Sequence, residues 1–169
     1  MGALYSTSVF VHVVAACAWI GSMVFFAAIV VPVLRRPEHS ASFAPLLRSL
    51  GARYRVLGWT CIAVLVATGL SNLALRGLGL DVLTSGALWA SGFGHALALK
   101  LALVALVVLA TGTHDVLFGA RAMQRVSADP RSPAAARARR VASWLGRLTL
   151  LLSLLVVLAA VWLVRGSPW

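Results

Sequence analysis

Carboxylates are almost missing from this chain, which has four Asp and Glu against fifteen Lys and Arg. Glu38, Asp81, Asp115 and Asp129 stand far apart in sequence, so hydrolysis by paired acids has no residues to run on. Cysteine is just as scarce, with Cys17 and Cys61 alone, and only three methionines are present. No Cys-x-x-Cys, Met-x-x-Met or His-rich segment occurs, and no phosphate-cradling Gly-rich loop or Ser-His-Asp pattern is seen. Charged residues make up 11% of the chain, against roughly 25% in soluble domains. These absences remove the soluble enzyme classes.

What is abundant is apolar sequence: 61% of residues are hydrophobic and the mean hydropathy is +0.94. The apolar residues gather in four runs, 4–34, 56–75, 96–119 and 148–164. As a helix rising about 1.5 Å per residue, each run can cross a hydrocarbon core of roughly 30 Å. The expected fold class is therefore all-α integral membrane, a four-helix transmembrane bundle formed by one domain, 1–169. The first run lacks a basic n-region and is about twice as long as a signal-peptide h-region, so it reads as a retained span.

The formal charge of +11 would suggest nucleic acid if the basic residues formed one face or tail. Instead Arg35, Arg36, Arg48, Arg53 and Arg55 lie between the first two runs. Arg121, Arg125, Arg131, Arg137, Arg139, Arg140 and Arg147 lie in or beside the third connection, leaving Arg76, Lys100 and Arg165 for the other side. Arginine-rich short loops stay in the cytoplasm, so both termini are expected outside, with a lipid bilayer as the partner and no nucleic acid.

Between Pro37 and Tyr54, Phe43, Leu46, Leu47 and Leu50 mix with Arg48 and Arg53 as in an interfacial helix in the first cytoplasmic loop. Trp89 and Phe93 suit an aromatic belt with a short outer lid, while SADPRSPAAARARR (127–140) reads as a polar cytoplasmic connection. Gly21, Gly58, Gly69 and Gly112 are the expected points of close helix approach. At their depths, about 25 Å above Leu34 for Cys17 and about 9 Å above Arg55 for Cys61, the two thiols are too far apart for a disulfide and read as small buried hydrophobes.

Ionisable groups inside a bilayer cost several kcal/mol and need a partner or a purpose. The spans carry His12, His95, Lys100, His114 and Asp115. Counting from the cytoplasmic boundary places His12, His95 and Lys100 near the outer interface, and His114 with Asp115 about 9 Å from the inner one. At 100° per residue His12, Trp19 and Met23 fall within about 40° of one another, and Lys100, Thr111 and His114 share a second face.

A histidine on such a face is either satisfied by an interfacial hydrogen bond or available as a ligand. Imidazole suits copper or haem iron, and His95 at a similar depth is a candidate second ligand. Lys100 then neutralises a haem propionate or another anion, or snorkels to the interface. Met23, Cys17 and Cys61 are the soft donors copper(I) would want, although Met23 lies about 16 Å below His12, too far for one ion. His114 and Asp115 suit a proton or metal path from the cytoplasm, or a structural role with partners among Arg121, Thr149 and Ser153.

The segment HVVAACAWIG (His12 to Gly21) resembles the opening span of CopD-type copper resistance membrane proteins. The likeness continues through ATGLSNL, read as a turn at Gly69, and through SGFGHALALKLALVALVVLATGTHDVL with its Gly94-to-Lys100 spacing. It covers roughly the first three spans. That resemblance implies copper handling or transport at the bacterial cytoplasmic membrane, beside a periplasmic copper-binding partner. A more distant similarity, to HemJ-type membrane protoporphyrinogen oxidases, implies haem b, with His12 and Lys100 as the functional residues.

Three readings thus stand side by side. The first is copper handling, with His12, His95, Met23 and His114 as metal ligands. The second is a haem b protein for electron transfer or porphyrinogen oxidation, with His12, His95, Lys100 and Trp19 around the cofactor; only here would the chain be an enzyme. The third is a cofactor-free scaffold for a partner, or for a second copy of the chain.

Overall fold

The computed structural model describes residues 2–34, 36, 40–118 and 133–165. They form α1 (Gly2–Phe25), a π-helical turn (Phe26–Val30), α2 (Val31–Leu34), α3 (Ser40–Leu75), α4 (Leu80–Leu83), α5 (Gly86–Trp89), α6 (Gly92–Phe118) and α7 (Pro133–Arg165). Four stretches are long and apolar enough to span a membrane: Gly2–Val33, Ser49–Leu75, Gly92–Leu117 and Ala136–Arg165. Only 17–22% of the most apolar window of each is buried inside the protein. Phe10, Leu109, Val116 and Leu151 are among the large side chains left outside. Water would not tolerate so much apolar surface, whereas lipid does, and helices satisfy their backbone polar groups internally.

The helical segment expected in the first cytoplasmic loop is present and runs unbroken into the second span, making α3 36 residues long. No turn forms at Gly69, which lies inside this helix. Nothing between Ser40 and Leu75 forces a break beyond Pro45, which lies within the first two turns and needs few bonds. The helix ends at Gly77, whose φ of +78° lets its N–H reach Ala74 O at 2.9 Å while Leu78 N–H reaches Leu73 O at 3.1 Å. This pair of bonds is a Schellman cap, and it needs a residue that enters the left-handed region without strain.

Residues 133–140, expected as part of a polar connection, are instead the first turns of α7. Proline at the first helical position costs no hydrogen bond, and the alanines and arginines after it are strong helix formers. The rest of that connection, 119–132, lies outside the described residues.

The first apolar run is not a uniform α-helix, because Val31 N–H bonds to Phe26 O, five residues back. Pro32 explains the widened turn: it cannot donate to Ala28, and its ring would press on that carbonyl in regular α geometry.

Helices α1 and α3 pack as one pair and α6 and α7 as another, with α1 also touching α7. Trp19, Met23, Cys61, Ile62 and Val107 form the buried core, flanked by Tyr54, Val108, Leu150 and Val156. The Trp19 indole donates to Ser153 Oγ at 3.2 Å, and that hydroxyl donates to Thr149 O at 2.8 Å, so one polar thread ties the two pairs together. Gly58 makes this possible, since a Cβ there would come within 2.7 Å of the Trp19 ring. Gly21 and Gly112 do not serve as packing points: each faces open space, on the side of its helix turned from the neighbours. Cys17 is exposed on the outer face of α1, contrary to its expected burial, while Cys61 is in the core; both are free.

Candidate functional site

At the arginine-poor end of the bundle, α1 and α3 bring His12 against Thr68, with Nδ1 and Oγ1 2.8 Å apart. The Thr68 hydroxyl donates its one proton to Val64 O at 2.6 Å, the usual back-bond of a helical threonine. With its proton on Val64 O, Thr68 accepts from His12, which favours the tautomer protonated on Nδ1. The His12 ring also hydrogen-bonds the Leu65 backbone, one turn before Thr68 on α3. Gly69 is not what makes room for His12, because an added Cβ would stay in ordinary contact, 3.6 Å from Cε1.

Around this pair the same end gathers further polar groups. Ser8 Oγ donates to Thr68 O at 3.4 Å. Asn72, one turn beyond Thr68 on the same face of α3, has a buried amide oxygen with no hydrogen-bond partner. Lys100, half-buried on α6, lies within electrostatic reach of His12 and of Arg76. No described carboxylate pairs with Lys100. The Arg76 Nε donates to Tyr5 OH at 2.8 Å, and its guanidinium lies 5.6 Å from the centre of the same ring. Two cations, an imidazole lone pair and an orphaned amide oxygen thus share one end of an apolar bundle.

Lys100 lies within electrostatic reach of His12, although α1 and α6 do not pack as a pair. His95 does not join them: its side chain is exposed on α6, while Gly94, Ala96 and Leu97 next to it are buried. Trp19 and Met23 share the inward face with His12 but sit deeper, in the core, where they fill space. The sequence alone does not single out Thr68 or Asn72; the signal marking them is one polar side chain beside Gly69 and another about one turn after it, inside an apolar run.

At the arginine-rich end, Trp59 Nε1 of α3 donates to Asp115 Oδ2 of α6 at 2.6 Å. His114 Nδ1 stands 3.9 Å from the other oxygen, and Tyr54 lies within electrostatic reach of the carboxylate. The partners expected for Asp115 are engaged elsewhere, since Thr149 bonds Leu145 O and Ser153 joins Trp19. Arg121 lies outside the described residues.

Donor sets decide which groups these residues suit. Among the described residues no three His, Cys, Asp or Glu side chains come together as a metal ion would need. Copper near His12 would have one imidazole, no soft donor and two fixed cations beside it, a poor fit. Haem b asks for one imidazole nitrogen and for cations to meet its propionates, a set that His12, Lys100 and Arg76 match in kind.

Fold and polar sites together define a multi-pass helical membrane protein. Within that class the chain belongs to the DUF4149 family, described as a domain of unknown function, which matches residues 14–129. An uncharacterized protein of Aquifex aeolicus (strain VF5) is 30% identical over 149 residues, covering 88% of this chain and 87% of its own. No solved structure matches the chain.

Proposed function

We propose that this membrane protein binds haem b at the arginine-poor end of its bundle, with His12 Nε2 as the iron ligand and Lys100 and Arg76 facing the propionates. The observation that supports this reading is the His12–Thr68–Val64 hydrogen-bond chain, which orients the imidazole and, with Nδ1 protonated, would present Nε2. Metal-binding histidines are oriented in this way by an acceptor on their second nitrogen. Asn72 Oδ1, left without a donor, adds a polar atom that a bound ligand or its water can satisfy. Bound haem would supply one-electron chemistry, and the chain would hold, orient and shield it from water.

Copper handling at the cytoplasmic membrane, implied by the CopD-type resemblance, rests on fewer features of the site. One preparation separates the readings. Protein purified from haem-replete cells should be red, with a Soret band that disappears in His12→Ala. Colourless protein that takes up copper(I) would overturn the haem reading in favour of copper. Colourless protein that takes up neither would favour the scaffold.

A further inference from the structure

The opposite end of the bundle holds a carboxylate that pairs with none of the described arginines. Asp115 is the one acid among the described residues of the four spans, and its side chain is 24% exposed. Arg53 and Arg55 on α3 and Arg147 on α7 belong to the same end, yet none forms an ion pair with it. Arg147 instead lies over Trp144, its guanidinium 5.5 Å from the ring centre. The Asp115 contacts are the Trp59 indole N–H at 2.6 Å and the His114 ring at 3.9 Å. A carboxylate at membrane depth whose one basic partner among the described residues is a neighbouring histidine, and not an arginine or lysine, marks a binding or transfer site.

The surroundings specify the chemistry. Trp59 stands beside the carboxylate and is 39% exposed, so the site opens sideways toward lipid. Tyr54 lies within reach of the Asp115 charge and packs on Phe26, with ring centres 5.0 Å apart. Phe26 is also the first residue of the π-helical turn, a distortion often found at functional sites. One carboxylate among aromatic rings provides too few donors for an inorganic ion. It suits instead a cation whose charge is spread over an apolar body, held by cation–π attraction and one opposite charge.

We propose that Asp115, Trp59, Tyr54 and Phe26 form a binding site for lipophilic organic cations, entered from the leaflet at the arginine-rich end. Asp115 neutralises the charge, the rings hold the apolar body, and the neighbouring His114 tunes affinity by its own protonation. This site is separate from His12 and does not depend on haem.

The probe is tetraphenylphosphonium, offered to the full-length protein in lipid nanodiscs. Wild type should bind it saturably. Asp115→Asn, which keeps an oxygen for the Trp59 bond and removes only the charge, should bind at least about tenfold more weakly, a loss of about 1.4 kcal/mol. Asp115→Glu should restore binding, and tetraphenylborate, of the same shape and opposite charge, should not compete. Equal affinity in wild type and Asp115→Asn, no saturable binding in wild type, or equal uptake of tetraphenylborate would each overturn the proposal.

Discussion

Single residues decide what each end of this bundle can hold. At His12 the deciding atom belongs to Thr68, because a hydroxyl committed to Val64 O accepts from the imidazole. Thr68→Val should therefore leave the fold intact and weaken haem binding by about 10- to 100-fold, as measured by titration of the apoprotein. The packing counterpart is Gly58, whose Cβ would press on a Trp19 ring already held by Ser153. Gly58→Ala should destabilise the bundle by about 1–3 kcal/mol in a reversible unfolding titration. His12, Lys100 and Asp115 were legible in the sequence because ionisable groups stand out in apolar runs. Thr68, Asn72 and Trp59 were not, since hydroxyls, amides and indoles are common in spans and their partners lie some 56 residues away or are absent.

Among the elements, the four spans followed from length and hydropathy, while their ends and irregularities did not. Pro32 is visible in the sequence, but whether a helix breaks, kinks or widens there depends on neighbours that accommodate the distortion. Here it widens, and Phe26 meets Tyr54. Deleting Ala28 removes the additional residue of the π turn, which restores the α repeat with the flanking segments nearly in register and takes away the widening that seats Phe26 against Tyr54. Far-UV circular dichroism should then be unchanged and tetraphenylphosphonium binding reduced. The extension of α7 back to Pro133 was obscured by proline, which signals a connection and a helix start equally well. At the other connection, Gly77→Ala should cost about 1–2 kcal/mol, because a Cβ is strained at that φ.

Taken whole, the molecule is two helix pairs joined by thin polar stitches, Trp19 to Ser153 and Trp59 to Asp115, with most of its apolar surface turned outward. From arginine placement, the His12 end is expected to face away from the cytoplasm. In cells carrying a cysteine-free background, a cysteine at Ser85 should react with an impermeant thiol reagent added outside, and one at Ala134 should not; the reverse pattern would invert the orientation. The central claim is that an imidazole near one surface offers a bare Nε2 into this bundle. Nitrogen-15 NMR of histidine-labelled apoprotein in bilayers, with His12 assigned by loss of its signal in His12→Ala, measures this directly. A protonated Nδ1 and an unprotonated Nε2 are expected for His12. A proton on Nε2, with Nδ1 bare, would contradict the claim.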